Sequence, residues 1–550
     1  MSETNVSHLH AAGLLQAGQP AAARAVWEGM FDEGRDEWKV LHGIGVCHVA
    51  EGHPALGVAA FERALPMAPD NPDVLRNLGG ALLLLKRSDE AIPYFERALA
   101  IRDADEHAHF NLAMALADAG RSAETIPHYE RALVLNPNNI IARSNLIYMQ
   151  DLGEDQAAAI AARQQWQAVH GEPLRRAWIP HTNDRNPKRR LRLGYCSGDF
   201  AFHSAAFCYG PVLKNHDLDQ FEIICYSSTQ ARDGFTERFR DEFRWRDVTQ
   251  LSPPLMVQQI RRDQIDVLID LSGHSRENRL VVFACKPAPV QITAWGYAMG
   301  TGLAAMDYFF ADPIYVPPTH EARFSERVIH LPVLTPFEPQ YPTPAITPLP
   351  ALAAGHLTFG AFDRLERVTA RTLDLYAEVL RALPSAWLVV KSAHIDDPRY
   401  RGSMELGLSS RGVDLTRVAF RGKTTHYENM RALGDVDLLL DPYPHGGGVT
   451  ILEGLWMGVP VITWCSDVTA SRKGAAFLAG VGLPQFVATS PEHYTKIAME
   501  WNDRREELAT IRATLRKRVA ASALCDHTTY TRCVEAIYRW AFERWTKNGV

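Results

Sequence analysis

At 550 residues the chain is too long for one hydrophobic core, and about three domains are expected. Its 46% apolar and 22% charged side chains are those of an ordinary soluble globular protein, and a formal net charge of −6 excludes a basic nucleic-acid or membrane-surface binder. No apolar run approaches the length of a membrane span.

The first residues, MSETNVSHLHAAGLL, carry neither a basic stretch nor a sustained apolar one, so no signal peptide is expected. The eight cysteines include no CxxC pair and are expected reduced, which fits a cytoplasmic location, and nothing has the spacing of a metal site.

The first 140 or so residues repeat. FERAL at Phe61 to Leu65 returns as FERAL at Phe95 to Leu99 and as YERAL at Tyr129 to Leu133, a step of 34 residues. The same step links Ala11, Gly45, Gly79 and Ala113, and links Trp27, Phe61, Phe95 and Tyr129. Small residues in one helix and an aromatic in the next are the tetratricopeptide pattern, with about four repeats expected. Asn77, Asn111 and Asn145 fall on the same step. Amides stacked along a concave face can bond both the N–H and the C=O of an extended peptide, so a protein or peptide acceptor in this groove is expected. His109 and His128 read as surface residues of their helices.

After a helical linker and the polar stretch IPHTNDRNPKRR, strands begin to alternate with helices. LRLGYCSGDF, FEIICYS, IDVLIDLSG, PVQITAWGY and AMDYFFAD read as strands of one parallel sheet, with helix-like sequence running up to Trp245. A Pro-rich crossing follows Pro313. LTFGAFD, WLVVKSA, RVAFRG, DLLLD, VPVIT and LPQFVA then read as a second parallel sheet, ahead of a helical tail. Two doubly wound lobes joined by a crossing face their strand ends across a cleft, which suits a ligand with a phosphate half and a second half.

The sharpest feature is DPYPHGGGVTILEGLW, Asp441 to Trp456. A strand, a glycine turn at Gly446, Gly447 and Gly448, and a helix opening at Val449 and Thr450 aim backbone N–H groups at one point, where an anion is stabilised. His445 before three glycines superficially suggests an oxyanion hole, but no GxSxG nucleophile accompanies it and a hydrolase is set aside. His274, after a strand end, is a weaker candidate than His203, which sits in the turn after the first strand of this region.

Repeats followed by GYCSGDFAFH, KPAPVQITAWGYAMGTGLAAMDYFFAD, LTFGAFDRLERVT and LLLDPYPHGGGVTILEGLWMGVPVITWCSDVTASRKGAAFL resemble glycosyltransferase family 41, which holds the protein O-GlcNAc transferases and SPINDLY-type protein O-fucosyltransferases. The resemblance covers nearly the whole chain in the same order. It implies a tetratricopeptide α-solenoid followed by a GT-B fold of two Rossmann-like α/β domains, and inverting, metal-independent transfer from a nucleotide sugar to Ser/Thr of a protein. UDP-GlcNAc is the favoured donor, with no cofactor or metal. GDP-fucose, a CMP-linked nonulosonic acid, or an inactive repeat scaffold are the alternatives. A homo-oligomer is compatible with the resemblance.

By motif, the resemblance gives His203 and Arg367 as catalytic residues and His426, Gly447, Gly448, Val449, Thr450, Glu453 and Arg472 as donor-binding ones. It makes Asn77, Asn111 and Asn145 the peptide-holding ladder. Three departures stand out: Arg367 takes the place of a lysine, Val449 replaces a hydroxyl residue, and TWCSDVT replaces a glycine-bearing loop. Arginine keeps the charge and can fork onto a phosphate, yet it is not a neutral swap. The expected division is 1–150 repeats, 151–189 linker, 190–330 acceptor-side lobe, 331–356 crossing, 357–522 nucleotide-sugar lobe and 523–550 C-terminal helix.

Overall fold

A computed structural model describes residues 3–32 and 37–548. The chain forms two compact units that divide between Met149 and Gln150.

The first unit is a run of helix pairs: α1 (Glu3–Gln16) with α2 (Pro20–Asp32), α3 (Glu37–Ala50) with α4 (Pro54–Ala64), α5 (Pro72–Leu84) with α6 (Ser88–Ile101), and α7 (Glu106–Asp118) with α8 (Ser122–Leu135). A ninth helix, α9 (Ile140–Asp151), follows. The 34-residue pattern is the packing itself. A Cβ on Gly45 would stand 2.5 Å from the Phe61 ring, and one on Gly79 would stand 2.9 Å from Phe95. Ala11 packs with Trp27 and Ala113 with Tyr129 in the two outer clusters. Only a small residue lets each aromatic lie flat on the preceding helix.

His109 differs from its surface reading. It is 5% exposed, its Nε2–H donates to the Asp103 carbonyl at 3.0 Å, and its Nδ1 lies 3.0 Å from His128 Nδ1. Those two bonds make it affordable inside the repeat core.

In the second unit, seven parallel strands form one sheet: β1 (Leu191–Ser197), β2 (Phe221–Ser227), β3 (Arg244–Asp247), β4 (Val267–Asp270), β5 (Val290–Thr293), β6 (Tyr308–Ala311) and β7 (Arg327–His330), in the order β3-β2-β1-β4-β5-β6-β7. Six more form the other: β8 (Thr358–Ala361), β9 (Trp387–Lys391), β10 (Val418–Arg421), β11 (Leu438–Leu440), β12 (Val461–Trp464) and β13 (Val487–Ala488), in the order β10-β9-β8-β11-β12-β13. Both are doubly wound, so each has a switch point where the winding reverses, at β1/β4 and at β8/β11. Two strands depart from the sequence reading. β3 lies where helix was expected to run on to Trp245, and β7 lies after Pro313, where an irregular passage was expected.

The crossing back from the second sheet ends in the helix His527–Asn548, which packs on the first sheet. Tyr538 stacks on Phe310 with ring centroids 6.0 Å apart, Tyr195 Oη lies 3.1 Å from Tyr538 Oη, and Glu535 lies 2.9 Å from His216 Nδ1. No described helix is long and apolar enough to cross a membrane.

Candidate active site

The second sheet's switch point builds one wall. Asp441, at the end of β11, is 4% exposed; it accepts the Gly447 N–H at 2.7 Å and the Thr463 hydroxyl at 2.6 Å. The carboxylate thereby ties the glycine turn to β12. A Cβ on Gly446 would stand 2.6 Å from Asp441 Oδ2, so this turn needs its glycine for close approach. Around Gly448 nothing stands within 4 Å of a Cβ, and no side chain caps the helix Val449–Trp456 that begins there. Its first N–H groups, beside half-buried Val449 and Thr450, are available to an anion.

Asp363 and Arg367 join this wall from the chain after β8. Burial, then the neighbouring Asp441, push the Asp363 carboxyl up to about 7, while Arg367 and Lys473 oppose that rise. Burial raises Asp441 to about 6 despite its two hydrogen bonds. Lys473, 6% exposed, is pulled down to about 7 by burial and by Arg367. Arg367 Nε is buried with no hydrogen-bond partner among the described residues. An arginine held beside an uncapped helix start, with a donor unspent, is a receptor for an oxyanion.

Sequence reasoning missed Lys473 and Asp363. The available signal was a lone charge opening the otherwise small and apolar helix Lys473–Gly480, one residue past the arginine that was chosen. Arg472 itself points elsewhere: its Nε donates to the Ile314 carbonyl and its Nη1 to the Ser466 carbonyl, both at 2.8 Å. It pins the two lobes together instead of joining the cluster.

A second pair lies farther along the same helix. Glu453, 8% exposed, is pushed up to about 8 by burial alone, so it carries its proton at neutral pH. Its Oε1 lies 3.6 Å from His426 Nε2, a buried atom with no hydrogen-bond partner among the described residues, and burial lowers that imidazole. Phe202 and Phe207 of the first lobe meet the His426 ring at 5.5 and 5.9 Å, edge to face.

The first lobe's switch point supplies the opposite wall. Asp199 and His203 follow β1, with His203 Nδ1 3.7 Å from Asp199 Oδ1 and accepting the Ala205 N–H at 3.3 Å. Burial lowers the His203 imidazole; Asp199 opposes that fall and Arg364, from the other lobe, adds to it. Burial also raises Asp199, against the pull of His203 and Arg364. A neutral imidazole at a cleft wall can accept a proton at physiological pH. His274 takes no part: it is 1% exposed and its Nε2–H donates to the Thr301 carbonyl at 2.8 Å.

The structure therefore gathers Arg367, Gly447, Gly448, Val449, Thr450, Glu453 and His426 on one wall and His203 on the other, and leaves Arg472 outside. In the repeat unit, Asn77, Asn111 and Asn145 occupy one register of α5, α7 and α9, all half-buried. Asn77 lies 2.8 Å from His42 Nε2, and Asn145 donates to the Tyr129 hydroxyl at 3.3 Å. Among the described residues no three His, Cys, Asp or Glu side chains are grouped to hold a metal ion.

Two doubly wound lobes whose switch points face each other, one lined by cations and an open helix start, define the two-lobed GT-B fold, which follows a tetratricopeptide array in chain order. The tetratricopeptide model matches residues 9–72 and 43–106. The chain belongs to glycosyl transferase family 41, whose model matches residues 144–337 and 349–534.

The probable UDP-N-acetylglucosamine–peptide N-acetylglucosaminyltransferase SPINDLY of Solanum lycopersicum is 33% identical over 379 residues, 67% of this chain and 40% of that protein. The UDP-N-acetylglucosamine–peptide N-acetylglucosaminyltransferase of Caenorhabditis elegans is 23% identical over 477 residues, covering 65% of this chain and 41% of its own length. The matches thus span less than half of these longer relatives. A mutant of the Thermobaculum terrenum O-GlcNAc transferase superposes with a TM-score of 0.84 at 31% identity, over 94% of this chain and 99% of that one.

Proposed function

We propose that this glycosyltransferase transfers a sugar from a nucleoside-diphosphate donor to a Ser or Thr hydroxyl of a protein, with inversion and without a metal, and that UDP-GlcNAc is the donor. One observation carries the reading: the His203–Asp199 pair on one lobe confronts Arg364 on the other, next to Arg367 and the open helix start. A hydroxyl's base and a leaving group's counter-charge thus stand across one cleft. The tomato and nematode relatives, named as UDP-N-acetylglucosamine–peptide N-acetylglucosaminyltransferases, support the donor and the peptide acceptor, and the Thermobaculum O-GlcNAc transferase supports the sugar.

In this reading the acceptor oxygen attacks the anomeric carbon as its proton passes to His203 Nε2. That requires the tautomer with the proton on Nδ1, so Nδ1 gives up the 3.3 Å bond it accepts from the Ala205 N–H and turns its proton toward Asp199, 3.7 Å away. The anomeric C–O bond breaks toward the β-phosphate, whose growing charge meets Arg367 and the N–H groups from Gly448 to Thr450. Protonated Glu453 donates to an oxygen of the nucleoside, near His426. The asparagines of α5, α7 and α9 hold the acceptor chain, and the enzyme works in the cytoplasm.

The test is transfer of labelled sugar from UDP-GlcNAc, GDP-fucose and a CMP-linked nonulosonic acid to a proteome-derived peptide library by the purified full chain. Transfer from UDP-GlcNAc is expected, reduced roughly 100-fold or more in His203→Ala, the usual range for loss of a general base. Transfer from another donor alone would replace UDP-GlcNAc. No transfer from any donor would leave a repeat scaffold.

A further inference from the structure

Lys473 Nζ lies 2.9 Å from His445 Nε2, and His445 Nδ1 lies 3.2 Å from the Asp151 carbonyl. A carbonyl only accepts, so the imidazole proton sits on Nδ1, Nε2 accepts, and Lys473 donates. This single bond uses one of the three ammonium hydrogens. Asp441 is occupied elsewhere, its two oxygens held by Gly447 and Thr463. The Asp441 carboxylate still acts on Lys473 through space, favouring its charged form, and the backbone of the next residue, Gly474, packs against Asp441 Oδ2.

The charged and titratable groups facing Lys473 come from four places: Asp363 and Arg367 after β8, Asp441 at the end of β11, His445 in the glycine turn, and Asp151 at the end of α9. Asp151 is already matched by buried Arg163, at 2.5 Å. Arg367 is permanently charged, and His445 stays neutral because desolvation and Lys473 hold it well below the ordinary range.

We propose that Lys473 is a switchable cation of the donor site, readily deprotonated while the glycine turn is empty and held as an ammonium when a diphosphate occupies it, so that nucleoside-diphosphate binding takes up a proton here. The inference rests on the reading of that turn as a diphosphate site. A second permanent cation buried beside Arg367 in an empty site costs desolvation and repulsion; a lysine that gives up its proton avoids both. Burial holds it at about 7, and an adjacent anion restores it toward 10.5. When the bond to the sugar breaks, the ammonium is already beside the diphosphate, and the proton stays on Nζ until the nucleotide leaves. A CMP-linked sugar brings one phosphate charge to the turn instead of two, so Lys473 favours diphosphate donors.

Calorimetric titration of the full chain with UDP at pH 8, in two buffers of different ionisation enthalpy, counts the protons taken up. For a lysine near 7 the expected uptake is about 0.9 proton. Lys473→Arg is expected to bind UDP at similar affinity without that proton, and Lys473→Met to lose the proton and about tenfold in affinity. Glu453, at about 8, and Asp363, at about 7, can also take up a proton at this pH, so Glu453→Gln and Asp363→Asn are each expected to keep the part of the uptake that Lys473→Arg removes. Uptake unchanged in Lys473→Arg, or abolished in Asp363→Asn, would overturn the proposal. Should Lys473→Met fail to fold, Lys473→Arg carries the test. Failure of wild type to bind UDP, GDP or CMP would instead sink the donor-site reading.

Discussion

Replacing Glu453 by glutamine should stabilise the protein, although the residue stands in the candidate active site. Unfolded, this carboxyl has its ordinary value of 4.5; folded, burial holds it at about 8. Between those values the folded chain binds one more proton than the unfolded chain, so stability is full below 4.5 and falls as pH rises to about 8. At pH 7.5 the difference of about 3 pH units from 4.5 corresponds to a penalty of about 4 kcal/mol, and at pH 5 to less than about 1 kcal/mol. Glutamine keeps the shape and cannot ionise. It loses the acid's hydrogen, so a net gain of about 2–4 kcal/mol is expected, which for a lobe of this size is roughly 5–10 °C in Tm. The assay is the melting temperature of Glu453→Gln and wild type from pH 5 to pH 8.5. An advantage that grows from near zero at pH 5 supports a protonated Glu453. A pH-independent difference would refute the reasoning, since it would mean that Glu453 is ionised in the fold.

Three further outcomes follow from the geometry. Arg472→Ala should lower stability by about 1–3 kcal/mol through two lost bonds to carbonyls; UDP affinity should stay within about twofold, and a tenfold loss would return this arginine to the donor site. Gly446→Ala forces a methyl to within 2.6 Å of Asp441 Oδ2, so it should cost about 1–3 kcal/mol and weaken UDP binding about tenfold or more; unchanged binding would show that the turn does not depend on this contact. With His203 as base, the rate of transfer should fall on the acid side through a value below the ordinary 6.5 of imidazole and be flat from pH 7 to 8; a profile without that limb would remove His203 from the role.

The fold was legible where a residue's surroundings are set by its neighbours in sequence. The strand Val267–Asp270 is buried on both faces and reads as one apolar run. Gly45 and Phe61 announce helix packing because the repeat recurs with its contact partners in step. β3, RWRD, was hidden because an edge strand exposed to water keeps polar side chains and shows no alternation. β7 closes the opposite edge and was hidden in the same way. In the site, the glycine turn and Glu453 were visible as a local pattern, whereas the protonation of Glu453 was not, since it depends on what covers the helix. Asp363, Arg367, Asp441, His445 and Lys473 span more than a hundred residues and meet only because β8 and β11 are neighbours. The choice of Arg472 over Lys473 shows the limit of motif matching. One residue along a helix turns a side chain by about 100°, from the cluster to the carbonyl of another lobe.

The helix His527–Asn548 has a consequence for how the molecule is made. It belongs to the core of the sheet whose last strand ends at His330, yet it is the last described element to be synthesised. At about 5–20 residues per second, some 200 residues must be added after β7 before Tyr538 can reach Phe310, a wait of roughly 10–40 s. The second sheet therefore has all its strands before the first can close its core. During that interval the surface around Tyr195, His216 and Phe310 stands uncovered on the nascent chain, where a chaperone can bind it and a premature stop codon would leave it permanently exposed.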